Sequence, residues 1–168
     1  EKWRGRFCSW FIQKGEVNAV KYADEIIVLS ENMKEYFKKK YNRNTHFIPN
    51  GVNLPEVRKA DQIEQLYSIK KDGYILFLGR LVPEKGISYL IDSFLEVNTN
   101  MKLVIAGGSS DTPEYEREIK NKAKKDSRIL FTGFVQGSLL EELYSNAYLY
   151  VLPSDLEGMP LSLLEAMS

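Results

Sequence analysis

The chain has 168 residues, of which 43% are hydrophobic, and this length allows one domain-sized core with a smaller appendage. Its 23 lysine and arginine residues balance its 23 aspartate and glutamate residues, so no net charge favours binding to nucleic acid. One cysteine cannot form an internal disulfide, and one histidine is too few for a multi-histidine metal site.

The first fifty residues form a short series of predicted elements. These are a helix over 1–23, a strand over 23–29, a helix over 31–41 and a strand over 45–48. Aromatic residues give the first helix an apolar face: Trp3, Phe7, Trp10 and Phe11. A turn at Pro49, Asn50 and Gly51 follows, and we place a domain boundary near Gly51, between segments 1–50 and 51–168.

Strands and helices alternate from Gly73 onward, after a weakly periodic stretch over 52–72. The predicted strands are 74–78, 102–106, 128–132 and 147–152, and the predicted helices are 87–97, 113–125, 138–146 and 160–168. This alternation predicts an α/β fold with a parallel sheet and right-handed crossovers. A glycine or proline turn follows each strand: Gly79, Gly107, Gly133 and Pro153. Because ligands bind at the carboxyl ends of parallel strands, we expect one site spread over these loops.

Two cations follow the first of these strands, in the segment GRLVPEKG. Arg80 and Lys85 lie between the strand and a helix with apolar residues at helical spacing, so both are expected at the carboxyl end of the strand. Arginine binds phosphate oxygens in pairs, and lysine supplies a mobile point charge. The pattern indicates an anion site, although an ordinary loop with solvated charges explains this segment equally well.

Two glutamates with seven residues between them follow the last strand, in EGMPLSLLE. Glu157 is expected in the loop, and Glu165 about a turn and a half into a helix that has Pro160 at its first position. The start of a helix favours anions, and carboxylates accept hydrogen bonds from hydroxyl groups. This arrangement suits a sugar joined to a phosphate.

Four motifs taken together resemble the donor-binding half of the group 1 glycosyltransferases, the large retaining GT-B family numbered four. They are GRLVPEKG, AGG at 106–108, FTGFV at 131–135 and PSDLEGMPLSLLEAM. The resemblance implies a Rossmann-like parallel sheet with helices on both faces, truncated at its C-terminus. The segments YADEIIVLSENMKEYFKKKY and FIPNGVN are similar to the tail of the family's N-terminal domain and its crossover, which implies that residues 1–50 are such a tail.

The resemblance also implies a role for each candidate residue. Glu157 would hold hydroxyls of the donor sugar near the reacting carbon, and Glu165 would bind the ribose. Arg80 and Lys85 would stabilise the departing diphosphate. The remaining donor-binding candidates lie in the glycine-containing loops and at the last helix: Gly107, Phe134, Val135, Gly158 and Leu161. Pro160 stands where many relatives have glycine, which removes one amide from phosphate binding.

The activity implied by the resemblance is transfer of a hexose, with retention, from a UDP- or GDP-linked donor to an acceptor hydroxyl in carbohydrate biosynthesis. The acceptor would be a carbohydrate or a lipid-linked sugar, bound by an N-terminal domain outside this chain. No cofactor or metal is expected, because no Asp-x-Asp triplet is present. No apolar run approaches the roughly 20 residues that span a bilayer. The absence of such a run predicts no transmembrane segment, and the single cysteine, which fits a reducing compartment, predicts a cytoplasmic protein in which peripheral contact with the inner face of the membrane is allowed.

Several other functions stay open at this stage. A retaining glycosidase also uses paired carboxylates, but a diphosphate leaving group needs no general acid. A module that binds nucleotide sugars without turnover would carry the same site. A GT-B sugar-nucleotide epimerase and a scaffold with an exposed aromatic face are the remaining alternatives.

Overall fold

A computed structural model describes residues 5–108 and 112–168, apart from the side chain of Arg6. The first four residues of the predicted N-terminal helix, with Trp3, lie outside the described residues. The chain divides into two compact units, Glu1–Asn50 and Gly51–Ser168.

The first unit contains two helices and two short strands. They are α1 (Arg6–Tyr22), β1 (Ile27–Val28), α2 (Glu31–Tyr41) and β2 (His46–Phe47). The two strands are parallel and pair over two residues each, so they are shorter than predicted. Ser30 caps α2, because its Oγ accepts a hydrogen bond from the Met33 amide at 3.3 Å.

Polar contacts join α1 to α2 within this unit. Glu16 accepts hydrogen bonds from the hydroxyls of Tyr36 at 2.6 Å and Tyr41 at 2.7 Å. Lys40 Nζ donates to the same carboxylate at 3.1 Å. These bonds, that of Tyr36 first, lower the pKa of Glu16 to about 2. The described aromatic residues predicted on the apolar face of α1 are exposed: Phe7, Trp10 and Phe11.

The second unit is a four-stranded parallel sheet with helices. Its elements are α3 (Gln62–Tyr67), β3 (Tyr74–Leu78), α4 (Ile87–Glu96), β4 (Lys102–Ala106), α5 (Pro113–Ala123), β5 (Ile129–Gly133), α6 (Ser138–Ser145), β6 (Leu149–Tyr150) and α7 (Leu161–Met167). The strand order is β5-β4-β3-β6, and every pair is parallel. The predicted α/β fold with a parallel sheet is therefore confirmed.

Helices cover both faces of this sheet because successive side chains of each central strand are buried on opposite sides. On one face, α4 and α5 pack against Phe77, Leu103 and Ile105. On the other face, α3 and α6 pack against Leu76 and Val104. Both cores are apolar, which accounts for the nearly continuous hydrophobic sequence of β3 and β4.

Three details of the second unit differ from the predicted elements. Helix α3 was not predicted, because its sequence is short and mostly polar. Strand β6 is shorter than 147–152, since its ladder with β3 covers only Leu149 and Tyr150. Helix α7 begins at Leu161, so placing Pro160 in the first helical position was wrong. Pro160 has extended backbone angles (φ −71°, ψ 118°) and precedes the helix as its N-cap.

The buried residue Glu142 on α6 holds the start of α3. Its Oε2 accepts hydrogen bonds from the backbone amides of Gln62 at 2.7 Å and Ile63 at 3.1 Å. Its Oε1 accepts a third hydrogen bond, from the Gln62 side chain at 2.9 Å. A distant side chain thus satisfies amides that have no partner inside the helix. This long-range cap explains how a short polar segment becomes helical.

We expect Glu142→Ala to lower the free energy of unfolding by about 2 kcal/mol, because it leaves buried backbone amides without an acceptor. The matched control is Glu118→Ala, which removes an exposed carboxylate from α5 and should change stability by less than about 0.5 kcal/mol. Urea unfolding followed by circular dichroism measures both values. Equal stabilities of the two variants would contradict the capping role.

Candidate functional site

The strand order places a topological switch point between β3 and β6. From β3 the chain moves outward to β4 and β5, and then returns to the opposite side of β3 to form β6. In open parallel sheets, ligands bind in the crevice at the carboxyl ends of the strands where the order reverses. The loops after β3 and β6, residues 79–86 and 151–160, border that crevice.

These two loops touch through their backbones. Gly86 has a left-handed conformation with φ of 69°, and a Cβ atom there would lie 2.1 Å from the carbonyl oxygen of Pro153. The Asp155 amide donates a hydrogen bond to the Glu84 carbonyl at 3.0 Å. Only glycine permits this approach at position 86. The loop that carries Lys85 is therefore held against the loop that carries Glu157.

Lys85 and Glu157 form an ion pair across the two loops. The distance from Lys85 Nζ to Glu157 Oε1 is 2.5 Å, and the side chains are 18% and 23% exposed. Burial raises the pKa of Glu157, but the hydrogen bond from Lys85 and the charges of Lys85 and Arg80 outweigh this effect and keep the pKa below its ordinary value. The carboxylate is therefore ionised at neutral pH, with a cation beside it.

A second pair joins the same loop to α4. The Tyr89 hydroxyl donates a hydrogen bond to Asp155 Oδ2 at 2.9 Å. This bond to a carboxylate raises the pKa of Tyr89. Sequence reasoning missed this pair, because nothing in the sequence indicates which residue of α4 faces a loop more than sixty positions later.

A mostly apolar cavity of about 460 Å³ lies at the carboxyl ends of β3, β4 and β5. Its lining residues are Leu78, Gly79, Arg80, Gly107, Gly108, Phe134 and Val135. Gly107 has φ of 138°, and a Cβ atom there would lie 1.9 Å from the Gly79 carbonyl oxygen. Phe134 is 78% exposed at the cavity wall, whereas Val135 is buried in the core. The cavity therefore combines an apolar surface with backbone atoms that a ligand can approach closely.

A separate cavity of about 360 Å³ contains Glu165. It lies between the segment 51–55, the start of α6 and the helix α7. Glu165 Oε2 accepts a hydrogen bond from the Tyr144 hydroxyl at 2.9 Å. Burial, and then this bond, raise the pKa of Tyr144. Sequence reasoning missed both Tyr144 and the segment 51–55 as neighbours of Glu165.

The structure thus groups the predicted site residues in three places. One cavity contains Arg80, Gly107, Phe134 and Val135, and a second contains Leu161 and Glu165. Lys85 and Glu157 are paired in the crevice, and Gly158 lies beside them in an exposed turn. Glu157 and Glu165 do not line a common cavity. Helix α7 begins at Leu161, and the amides of Leu163 and Leu164 donate hydrogen bonds to the Pro160 carbonyl at 3.2 and 3.3 Å.

Among residues 5–108 and 112–168, no group of three or more histidine, cysteine, aspartate or glutamate side chains is arranged to hold a metal ion. No helix in the same residues is both long enough and apolar enough to cross a membrane.

Comparison with known protein families matches residues 58–168 to the family described as glycosyl transferases group 1. The chain belongs to this family. The matched region covers the sheet, both cavities apart from segment 51–55, and the Lys85–Glu157 pair. The predicted family is therefore confirmed.

Individual relatives agree with this membership. The uncharacterized glycosyltransferase MJ1607 of Methanocaldococcus jannaschii is 32% identical over an alignment of 156 positions, which covers 86% of this chain and 40% of the relative. The α-D-kanosaminyltransferase of Streptomyces kanamyceticus is 26% identical over 165 residues, covering 91% of this chain and 42% of the relative. The chain thus spans about two fifths of the length of these group 1 relatives.

The same fold occurs in a solved structure. The chain superimposes on HepE of Anabaena, crystallised with UDP and glucose, with a TM-score of 0.76 and 21% identity over 89% of this chain and 43% of HepE. At this identity the likeness supports the fold alone, and it confirms the predicted GT-B architecture.

Proposed function

We propose that this chain supplies the donor-binding half of a glycosyltransferase that moves a hexose from a nucleoside diphosphate sugar to an acceptor hydroxyl with retention. The observation that carries the proposal is the Lys85–Glu157 pair at the switch point of the sheet, with Arg80 near enough to affect the same carboxylate. A cation and a carboxylate side by side match a ligand that has a phosphate next to hydroxyl groups.

Arg80 and Lys85 would act on the leaving group. Cleavage of the anomeric bond leaves negative charge on the diphosphate, and nearby cations stabilise that charge most in the transition state. Arg80 is exposed at the crevice and can turn toward a phosphate, while Lys85 is held at the loop junction. The amides at the start of α7, near Gly158 and Leu161, would add further donors.

Glu157 would accept hydrogen bonds from hydroxyls of the donor sugar. Its carboxylate is paired with Lys85, and binding of the donor would exchange partners: Lys85 would turn to the phosphate and Glu157 to the sugar. The reacting sugar gains positive charge in the transition state, and an ionised carboxylate stabilises that charge. The lowered pKa of Glu157 keeps it in the ionised form that this role needs.

The nucleotide would extend from this crevice into the two cavities. The apolar cavity with Gly107, Phe134 and Val135 suits a planar base, which the backbone can approach closely beside the glycines. Glu165 would bind the ribose hydroxyls from the second cavity, with Tyr144 orienting its carboxylate. UDP and GDP both fit this description, so the donor is assigned only as a nucleoside diphosphate hexose.

The remaining assignments concern the whole protein. Residues 51–168 would form the donor domain, and residues 1–50 would be the tail of an acceptor-side domain that binds a carbohydrate or lipid-linked acceptor. The cytoplasmic location, with contact at the inner face of the membrane, stays a prediction. That the protein needs no metal and no cofactor also stays a prediction.

We expect UDP, GDP or their sugar derivatives to raise the melting temperature of this chain, with the same shift in the presence of EDTA. Binding at about a hundredfold excess over the dissociation constant stabilises a folded protein by about 2.7 kcal/mol, which a thermal shift assay detects. Arg80→Ala should reduce the shift because it removes a phosphate ligand.

The control for this variant is Arg117→Ala, because Arg117 is an exposed arginine of α5. It should leave the shift unchanged, which separates loss of a ligand contact from loss of a surface charge. No shift with any of these compounds, in a sample shown by circular dichroism to be folded, would refute donor binding.

A further inference from the structure

We propose that Tyr89 and Asp155 are a positioning pair that sets Glu157 for the sugar part of the donor. The inference rests on the proposed function. It assigns the two parts of the donor to different parts of the site. The contacts between the loops would govern recognition of the sugar, and the two cavities would bind the nucleotide. Neither residue was among the candidates that sequence reasoning identified.

Asp155 belongs to the loop 151–160, which carries Glu157. This loop has no regular structure up to the start of α7. Asp155 and Leu156 are exposed, so little burial fixes this part of the loop. Its geometry must therefore come from specific contacts with neighbouring elements.

Several contacts of this loop reach the region 84–89. The Asp155 amide bonds the Glu84 carbonyl, and the Pro153 carbonyl packs on Gly86. The Tyr89 hydroxyl donates a hydrogen bond to the Asp155 side chain, and this contact does not involve Glu157 itself. Since Tyr89 is on α4, whose inner face is buried in the core, its position is fixed by a rigid element.

The Tyr89–Asp155 pair lies outside the proposed nucleotide site, because neither residue lines either of the two cavities. Loss of their hydrogen bond should therefore alter where Glu157 lies without altering the surfaces proposed for the base and the ribose. A displacement of this loop by about 1 Å would remove much of the benefit of a correctly positioned Glu157 carboxylate.

The test compares binding of UDP with UDP-glucose, and of GDP with GDP-mannose, by isothermal titration calorimetry on this chain. In the pair that binds, Tyr89→Phe and Asp155→Ala should each weaken binding of the sugar nucleotide by about fivefold, which corresponds to about 1 kcal/mol, the typical net effect of one hydrogen bond. Binding of the nucleoside diphosphate should change by less than about twofold, since the cavities are intact.

Three controls sharpen this result. Asp155→Asn should retain sugar-nucleotide binding, because the asparagine oxygen still accepts the Tyr89 hydrogen bond. The double variant Tyr89→Phe with Asp155→Ala should bind no more weakly than either single variant, as expected for two partners of one interaction. Tyr148→Phe removes the hydroxyl of another tyrosine, 62% exposed and outside both cavities, and should have no effect.

The outcomes separate the inference from the proposed function. If the wild-type chain binds none of the four compounds, the proposed function fails and the inference falls with it. If it binds them but Tyr89→Phe leaves the sugar nucleotide unaffected, or weakens both members of a pair equally, the positioning role is overturned and donor binding stands.

Discussion

Glu157→Gln is expected to lower kcat by about a hundredfold in a full-length protein that includes the acceptor-side domain. Glutamine keeps the size of the side chain and can still accept a hydrogen bond from Lys85, but it removes the negative charge. That charge has its largest effect on the cation-like sugar of the transition state, so the loss should appear in turnover. Steady-state kinetics with saturating donor measures the change.

Glu165→Gln is the matched control, since it makes the same chemical change in the other glutamate of the motif. Its proposed partners, the ribose hydroxyls, are bound equally in the ground and transition states, so KM for the donor should rise while kcat changes little. The Tyr144 hydroxyl can still donate to the glutamine oxygen, which keeps the second cavity intact.

The structure gives a physical reason for separating the two glutamates. Glu157 is paired with a cation at the crevice, whereas Glu165 is bonded to a tyrosine in another cavity. If Glu157→Gln kept full turnover while nucleotide binding collapsed, the two assignments would have to be exchanged. If neither variant affected transfer, the site itself would be misplaced.

The alternation of elements could be predicted because the strands of the second unit read as short apolar runs, and the central strands β3 and β4 are buried on both faces. The strand β3, with its sequence YILFL, shows this clearly. The order of the strands does not follow from such runs, since a βαβ unit can add on either side of β3. The switch point between β3 and β6, which locates the site, therefore emerges only from the folded chain.

The positions of the cations and glycines of the candidate site could be predicted, because each of these residues lies in a loop after a predicted strand. Arg80, Lys85 and Gly107 all lie where the alternation puts them. The partners that orient the carboxylates could not be predicted, because they come from helices distant in sequence. Tyr89 faces Asp155 only through the packing of α4, and Tyr144 faces Glu165 only through the packing of α6 against α7.

The long-range cap of α3 shows the same limit in the fold. Local propensity gives no helix over 62–67, yet the carboxylate of Glu142 binds two amides at its start. Here a tertiary contact overrides a weak local preference. The elements that sequence reasoning missed or misplaced are thus those whose ends depend on distant residues.

Gly107→Ala is expected to lower the free energy of unfolding by about 3 kcal/mol, because it combines an unfavourable backbone conformation with a steric clash. Position 107 has φ of 138°, and the new Cβ atom would lie 1.9 Å from the Gly79 carbonyl oxygen. That oxygen belongs to the backbone after β3, so no side-chain movement relieves the contact. Urea unfolding followed by circular dichroism measures the loss.

Gly108→Ala is the matched control, because it adds the same methyl group one residue later in the same loop. A Cβ atom at position 108 meets no atom of residues 5–108 and 112–168 within 4 Å, and we expect a change of less than about 0.5 kcal/mol. Equal stabilities of the two variants would show that the loops after β3 and β4 can separate freely. The close approach of Gly79 and Gly107 would then not define the wall of the cavity proposed for the nucleotide, and the base would have to bind elsewhere.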